Sequence, residues 1–487
     1  MSVFVSTRNR SDQVDARLAM VRGLSSDGGL YVPTAIPHIN YKDLIGLSYS
    51  QIAQRIVHAW FDDLSEDDIA RCCDGAYRHF DDARVAPVVK AGDTFILELF
   101  HGETCAFKDV ALSLLPRLLV KSLQSLGINK KIMILTATSG DTGSAAMNGF
   151  KNVPNTGIIT FFPNGGVSPL QRRQMVSMEG DNLTACAVNG NFDDCQSAVK
   201  KAFAELPEQN DVRFSSANSI NIARLVPQIS YYFSSYIDLM NQGHIRADEK
   251  LSFIVPTGNF GDILAGYYAK AMGLPVEKLI CASNANNVLT DFIASGVYDR
   301  RRQFLKTFSP SMDILISSNL ERLLYHTEDS DATLVAKQME ELKSDGYYSV
   351  DSKTFKQIQS VFSAYCFDDD ATLHMIKSFY SDCGYLADPH TAVALAAEKA
   401  FRRDNPGQKC AVLSTASPYK FISCIVKALG LSEKNDVFET AKMISDITGT
   451  AIPAHLSCLS AKAELHTDVI EKEDITSYIL RKYPELI

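Results

Sequence analysis

The chain has 487 residues, 46% of them hydrophobic and 22% charged, with a formal net charge of −9. That length and balance describe a globular protein of roughly two or three domains and exclude a disordered or low-complexity chain. No basic block of the kind that tracks a phosphate backbone is present, which argues against a nucleic-acid binder, so an anionic ligand has to be held by local geometry.

No apolar run reaches membrane-spanning length, and the opening Met1-Ser2-Val3-Phe4-Val5-Ser6-Thr7-Arg8 lacks a basic stretch followed by an apolar core. The expected address is the cytosol, without a membrane partner. The 11 cysteines form no Cys-x-x-Cys or Cys/His cluster, so neither zinc nor a disulfide framework is expected. Up to about Val89, a turn at Asp27-Gly28-Gly29 and helices near Ser48 to Phe61 and Glu66 to Tyr77 mark a separate N-terminal cap.

From Thr94 onward the pattern changes. Strand-like runs at Lys131 to Thr138, Thr156 to Pro163, Leu183 to Asn189, Leu251 to Pro256, Lys278 to Ser283 and Cys410 to Ser414 each lead into a helical stretch. This is the alternation of an α/β protein, parallel sheets covered by helices, in which ligands gather at the carboxyl ends of strands. The helix from Ile222 to about Met240 carries Tyr231, Tyr232, Phe233 and Tyr236, expected as core or subunit contact. Residues from about Arg300 to Asp370 are expected as peripheral helices, and the tail after Ser432 as helical in its middle and at its end.

Four motifs stand at strand ends. Thr94 to Leu99 predicts a buried strand, and Val110, Leu114, Leu115, Leu118 and Leu119 recur at helical spacing, which puts Lys108 just inside a helix start. The positive end of that helix disfavours an ammonium and favours the neutral amine that attacks a carbonyl. Next comes Thr136-Ala137-Thr138-Ser139-Gly140-Asp141-Thr142-Gly143, whose small and hydroxyl residues suit a carboxylate or phosphate and, beside a reactive lysine, an amino-acid carboxylate. Val255-Pro256-Thr257-Gly258-Asn259-Phe260-Gly261-Asp262 lets consecutive N–H groups converge on one phosphate monoester, and it matches neither a Walker loop nor the dinucleotide pattern. In Leu413-Ser414-Thr415-Ala416-Ser417-Pro418, a hydroxyl leaves a facing ring nitrogen largely neutral. A lysine, a carboxylate loop, a phosphate cup and such a hydroxyl together describe pyridoxal 5′-phosphate.

These strings are joined by Ser6-Thr7-Arg8, Ser26-Asp27-Gly28-Gly29-Leu30, Phe162-Pro163-Asn164-Gly165-Gly166-Val167-Ser168, Asn189-Gly190-Asn191-Phe192-Asp193-Asp194 and Ser219-Ile220-Asn221. On them, nearly the whole chain resembles the longer, bacterial and fungal type of the threonine synthase family. These are fold type II pyridoxal-phosphate enzymes, tryptophan synthase β-like, that convert O-phospho-L-homoserine and water into L-threonine and phosphate.

The resemblance implies a cap domain over 1–93, a cofactor-binding catalytic domain over 94–445 with a mobile subdomain about 130–215, a C-terminal extension over 446–487, and a monomer or homodimer. It also implies that Lys108 is joined to the cofactor aldehyde, that Gly258, Asn259, Phe260, Gly261 and Asp262 bound the cofactor phosphate, and that Thr415 faces the pyridine nitrogen. Ser139, Gly140, Asp141 and Thr142 then match the loop that receives the substrate carboxylate. Asn218, Asn221 and Arg224 are the candidates for the substrate phosphate, ahead of Arg8 and Lys420.

Asp141 lies within a matched string, where many other type II enzymes carry Asn beside the ring hydroxyl, and a carboxylate there would repel a phenolate unless a proton were shared. Two positions depart from the family pattern. Ser417 stands where a His is common, and Asn9 where a Gly is usual. In the implied reaction Lys108 takes the α-proton, the γ-phosphate leaves and water adds at Cβ. Two other outcomes fit the same scaffold. One is a phospho-lyase that releases 2-oxobutyrate, ammonia and phosphate because water is not positioned; the other is a cofactor-holding interaction protein, which need not keep Lys108.

Overall fold

Strands buried along their whole length need cover on both faces, and Thr156–Pro163, Leu251–Pro256 and Cys410–Ser414 are buried at every position. In the computed structural model, which describes residues 2–206, 212–215 and 217–483, these strands belong to two helix-covered sheets. Residues 207–211 of the expected mobile subdomain and 484–487 of the expected C-terminal extension lie outside the described residues.

The larger sheet has six strands in the order Phe362–Cys366, Val276–Ser283, Leu251–Pro256, Cys410–Ser414, Thr94–Glu98, Val88–Ala91. All its pairs are parallel except the last, where Val88–Ala91 runs antiparallel to Thr94–Glu98. The smaller sheet has five parallel strands in the order Val469–Glu471, Leu183–Asn189, Thr156–Pro163, Lys131–Ala137, Val212–Ser215. A three-stranded antiparallel sheet, Gln13–Asp15, Val3–Ser6 and Tyr31–Pro33, stands in the N-terminal region. The helix Tyr49–Trp60 carries that region onto the rest of the core, where the Trp60 and Tyr268 rings meet edge to face at 4.9 Å.

The parallel α/β reading therefore holds, with three differences. The helix after Lys108 is two helices, Lys108–Leu112 and Leu115–Ser125. Pro116 lacks the N–H that would have bonded the Leu112 carbonyl, so the ladder stops there. The stretch from Arg300 to Asp370 is not peripheral throughout. Its helix Leu320–Thr327 buries Leu320, Arg322, Leu323 and Leu324, and its strand Phe362–Cys366 closes one edge of the larger sheet. Short strands such as Val469–Glu471 also escaped the sequence reading, because three residues carry too little periodicity to register.

Candidate active site

Both sheets point strand ends into one cavity of about 1440 Å³. Lys108, Ser139, Thr142, Asn218, Arg224, Thr415 and the run Gly258 to Asp262 all line it. Gly140, Asp141 and Asn221 do not.

Lys108 opens the helix Lys108–Leu112 and its side chain is 11% exposed. Its ammonium lies 3.8 Å from Asp141 Oδ2 and 4.8 Å from the centre of the Phe107 ring. Burial, more than any charge, pushes the Lys108 amine down to about 8; Asp141 opposes that shift, and Lys420 and Arg224 add to it. The helix-end argument made from the sequence is thus secondary to desolvation. At about 8, roughly a tenth of the amine is neutral at pH 7.

The phosphate cup forms where Leu251–Pro256 ends and the helix Gly261–Ala271 begins. Phe260 takes a left-handed conformation (φ 60°), which turns the chain so that the helix start faces the cavity. Among the described residues no acceptor in the protein takes the N–H groups of Gly258, Asn259 or Phe260, so three donors stand ready for an anion at a helix N-terminus. The loop before Leu320 closes on the cup from outside: Ser317 Oγ donates to the Gly258 carbonyl at 2.9 Å and Asn319 Nδ2 to the Asn259 carbonyl at 3.1 Å. A Cβ at Gly258 would sit 2.5 Å from the Ser311 carbonyl oxygen, so only glycine permits that closure. Asp262 is buried beside the cup, with Tyr231 OH (2.6 Å) and Tyr232 OH (2.9 Å) donating to its Oδ1 and, among the described residues, no partner for its Oδ2. Burial pushes its carboxyl up to about 6. The tyrosines expected as core or subunit contact thus hold a group of the site.

Thr415 follows the strand Cys410–Ser414. Its carbonyl accepts from Phe107 N–H at 2.8 Å, and Ala106 bridges Ala416, so the lysine loop and the Thr415 loop are stitched together. Thr391 Oγ1 takes the Thr415 N–H at 3.3 Å.

On the smaller sheet, Gly140 sits at φ 132°, a value that side-chain-bearing residues rarely adopt. Thr138 Oγ1 accepts from both Gly140 N–H and Gly143 N–H at 2.9 Å. Gly140 therefore shapes the turn and its N–H is already used. Asp141 is also reassigned, because its carboxylate is occupied by the protein. Lys420 Nζ (2.7 Å) and Gln171 Nε2 (2.8 Å) reach Oδ1, and Ser311 Oγ approaches Oδ2 at 3.4 Å. Against the opposing effect of burial, Lys420 and then Lys108 hold that carboxyl well below the usual range. An anionic Asp141 is no seat for a substrate carboxylate, which leaves Ser139 and Thr142.

Of the three phosphate candidates, Asn221 drops out. It caps the helix Ile222–Asn241, its Oδ1 accepting from Ala223 N–H at 2.9 Å while its Nδ2 donates to the Met20 carbonyl at 3.0 Å. Arg224 gains weight. It is 3% exposed, has no carboxylate partner among the described residues, donates to the Ala217 carbonyl at 2.6 Å, and leaves Nε unpartnered. Burial alone pulls its guanidinium down to about 10. Arg8 and Lys420 are both already neutralised, Arg8 by a two-pronged pair with Glu321 (2.9 and 2.8 Å) and Lys420 by Asp141.

Sequence reasoning missed a buried chain of groups behind the site. His390 Nε2 accepts from Ser311 N–H at 3.2 Å, so its Nδ1 carries the proton and donates to Asp388 at 2.8 Å, and Asp388 also takes the Thr391 hydroxyl. Asp388-Pro389-His390 reads locally as a helix cap followed by proline, and the cap is real, which hid the second use. Ser417 is buried and donates its N–H to the Cys105 carbonyl at 3.0 Å.

A lysine held partly neutral, unpaired donors at a helix start, a hydroxyl at a third strand end and an unpaired guanidinium fit pyridoxal phosphate together with an anionic amino acid. Comparison with known proteins agrees. Residues 90–416 match the family described as pyridoxal-phosphate dependent enzyme, residues 3–77 the threonine synthase N terminus, and residues 391–479 the threonine synthase C-terminal region. A threonine synthase of Pseudomonas aeruginosa is 38% identical over 466 residues, covering 95% of this chain and 94% of that one. The chain belongs to the threonine synthase family.

The crystal structure of the threonine synthase of Brucella melitensis with bound pyridoxal phosphate superposes with a TM-score of 0.89 at 38% identity, covering 99% of each chain. Threonine synthase-like 1 of Macaca fascicularis is also 38% identical over 94% of this chain, and the match spans 64% of that longer protein. For this member of the threonine synthase family the fold is therefore that of the type II pyridoxal-phosphate enzymes, and pyridoxal phosphate is its cofactor.

Proposed function

We propose that the chain is a threonine synthase acting on O-phospho-L-homoserine and water to give L-threonine and phosphate. One observation carries the choice of substrate: Arg224, a buried guanidinium without a carboxylate partner among the described residues, lines the same cavity as Lys108. A buried cation in that condition is stabilised by an incoming anion, and a phosphate monoester meets an arginine with two parallel hydrogen bonds.

When bound, pyridoxal phosphate supplies the electron sink that makes carbon-bound protons acidic. The protein's residues do the rest. Lys108 would hold the cofactor by its amine and, once the substrate's amine has taken its place, would act as the base that takes the α-proton and later returns it. Arg224 with Asn218 holds the γ-phosphate while its ester bond breaks, and Ser139 and Thr142 take the α-carboxylate. The Gly258 to Asp262 cup would hold the cofactor's own phosphate, and the Thr415 hydroxyl would serve its ring nitrogen. One proton leaves Cβ as the γ-phosphate is expelled, water then delivers hydroxide to Cβ, and the former Cγ gains a proton to become the methyl group of threonine.

The proposed domains are a cap over 1–93, a catalytic domain over 94–445 whose part about 130–215 moves, and a C-terminal extension over 446–487, working as a monomer or homodimer in the cytosol. Incubating the purified chain with pyridoxal phosphate and O-phospho-L-homoserine tests the proposal. Threonine and phosphate in equal amounts are expected; 2-oxobutyrate with ammonia and phosphate makes it a phospho-lyase, and no turnover by cofactor-loaded protein makes it a binding protein.

A further inference from the structure

Two lysines from opposite ends of the chain converge on one buried carboxylate. Lys108 Nζ stands 3.8 Å from Asp141 Oδ2, and Lys420 Nζ 2.7 Å from Asp141 Oδ1. Lys420 is fully buried, and among the described residues its ammonium donates, apart from Asp141, only to the Thr104 carbonyl, at 2.8 Å. The turn that carries it is fixed, since the Ser168 hydroxyl donates to the Lys420 carbonyl at 2.8 Å and the Lys420 N–H to the Ser417 carbonyl at 3.1 Å.

A neutral donor at position 420 would satisfy the Thr104 carbonyl and reach toward Asp141 equally well. What only a lysine brings is charge, and burying a charge is costly unless it is used or paired. Asp141 needs it, because a lone carboxylate beside Lys108 would favour the ammonium form of the residue that has to act as an amine.

We propose that Lys420 is a positioning residue of the reaction, the built-in counter-cation of Asp141 that cancels at Lys108 the field of a carboxylate which would otherwise hold Lys108 as an ammonium. With the pair formed, the carboxylate remains as an oriented acceptor and its net charge at Lys108 is small. Asp141 then serves beside Lys108 without leaving the site negative. This inference deepens the threonine synthase reading and rests on it for the role of Lys108.

The charged groups facing Lys108 are Asp141 from the helix Asp141–Phe150, Lys420 from its turn, Arg224 from the helix Ile222–Asn241, Asp109 from the helix of Lys108 itself, and Asp262 from the helix Gly261–Ala271. Only the Asp141–Lys420 pair has both members in direct contact with each other, so it alone can be neutralised as a unit by two substitutions.

The test compares the parent protein with Lys420→Met, Asp141→Asn and the double variant Asp141→Asn/Lys420→Met. One readout is the pH dependence of Lys108 labelling by trace acetic anhydride, followed by peptide mass spectrometry on the full-length chain after removal of the cofactor. The other is the acid limb of kcat/KM for the holoenzymes. In Lys420→Met the labelling midpoint of Lys108 rises by about one pH unit or more, a roughly tenfold loss of reactive amine at pH 7. In Asp141→Asn it falls, and in the double variant it returns toward the parent value.

Removing both partners leaves no uncompensated buried charge, so the double variant keeps the test alive if Lys420→Met does not fold, a midpoint there far from the parent value counting against the proposal; Asp141→Asn, which strands the Lys420 charge, is read where it folds. A midpoint that stays at the parent value in a folded Lys420→Met, or in Asp141→Asn when only that variant folds, overturns the proposal. If the cycle closes as stated while no threonine forms, the charge pairing stands and the substrate reading falls.

Discussion

The two sheets deliver their parts of the site in different ways. The larger sheet presents Lys108, the Gly258 to Asp262 cup and Thr415 mainly on chain that its own backbone holds: the cup continues a strand, and the Lys108 and Thr415 loops share main-chain hydrogen bonds, with the Ser317, Asn319 and Thr391 side chains added as supports. The smaller sheet presents Ser139 and Thr142 on a turn that needs side chains to hold it. Thr138 Oγ1 binds two N–H groups of that turn, and Asp141 is gripped by Gln171, Ser311 and Lys420, the last two from outside the smaller sheet. Backbone-built parts tolerate side-chain change except at the reacting group itself, whereas a side-chain-built part fails when one support is removed.

The largest expected effect is at the reacting group of the larger sheet. Lys108→Ala lowers turnover by on the order of 10³-fold or more and removes the visible absorbance of the lysine-bound cofactor, as steady-state assay and spectrum will register. Arg224→Gln comes next. It raises KM for O-phospho-L-homoserine by roughly 10- to 100-fold, corresponding to the ~1.5–3 kcal/mol of a hydrogen bond to a charged group, while cofactor binding is retained. An equal loss of cofactor affinity would place Arg224 in the wrong subsite.

The contrast between the sheets is sharpened by Thr138→Val. This near-isosteric change strips the acceptor from two buried N–H groups and is expected to cost ~1–3 kcal/mol in chemical denaturation and to raise KM, although Thr138 itself reacts with nothing. Lys108 supplies a pH prediction. Because burial holds its amine at about 8, the rate at which the cofactor-free chain captures pyridoxal phosphate climbs with pH and levels off above about 8. A curve still climbing steeply at pH 10 would mean that the lysine is solvated.

The smallest effect concerns Asp262. Its carboxyl is pushed up to about 6, so it ionises as pH rises past that value and then opposes a phosphate in the cup. Cofactor affinity should weaken by about two- to fivefold from pH 5.5 to 7.5, in line with a ~0.3–1 kcal/mol charge effect at a helix end, and Asp262→Asn should flatten that slope. Equilibrium dialysis against pyridoxal phosphate reads both.

The same contrast explains what could be read from the sequence. Lys108, the glycines of the cup and Thr415 lie in short contiguous strings at strand ends, and local pattern found them, as it did the runs Thr156–Pro163 and Leu251–Pro256. The supports of Asp141 did not show, because Gln171 lies 30 residues away from it and Ser311 170 residues away. No local periodicity links such positions. Asn221 looked like a phosphate donor because helix caps and anion ligands draw on the same residue types, and only the geometry of Met20 and Ala223 separates the two uses. His390 was hidden for the same reason, beside a working cap.

The central claim is that one lysine of this chain carries the cofactor and that it is Lys108 rather than its buried neighbour Lys420. Full-length protein loaded with pyridoxal phosphate, reduced with borohydride and digested, will place the cofactor's mass on the peptide containing Lys108. Finding that mass on the Lys420 peptide, or on no lysine of the cavity, would contradict the account.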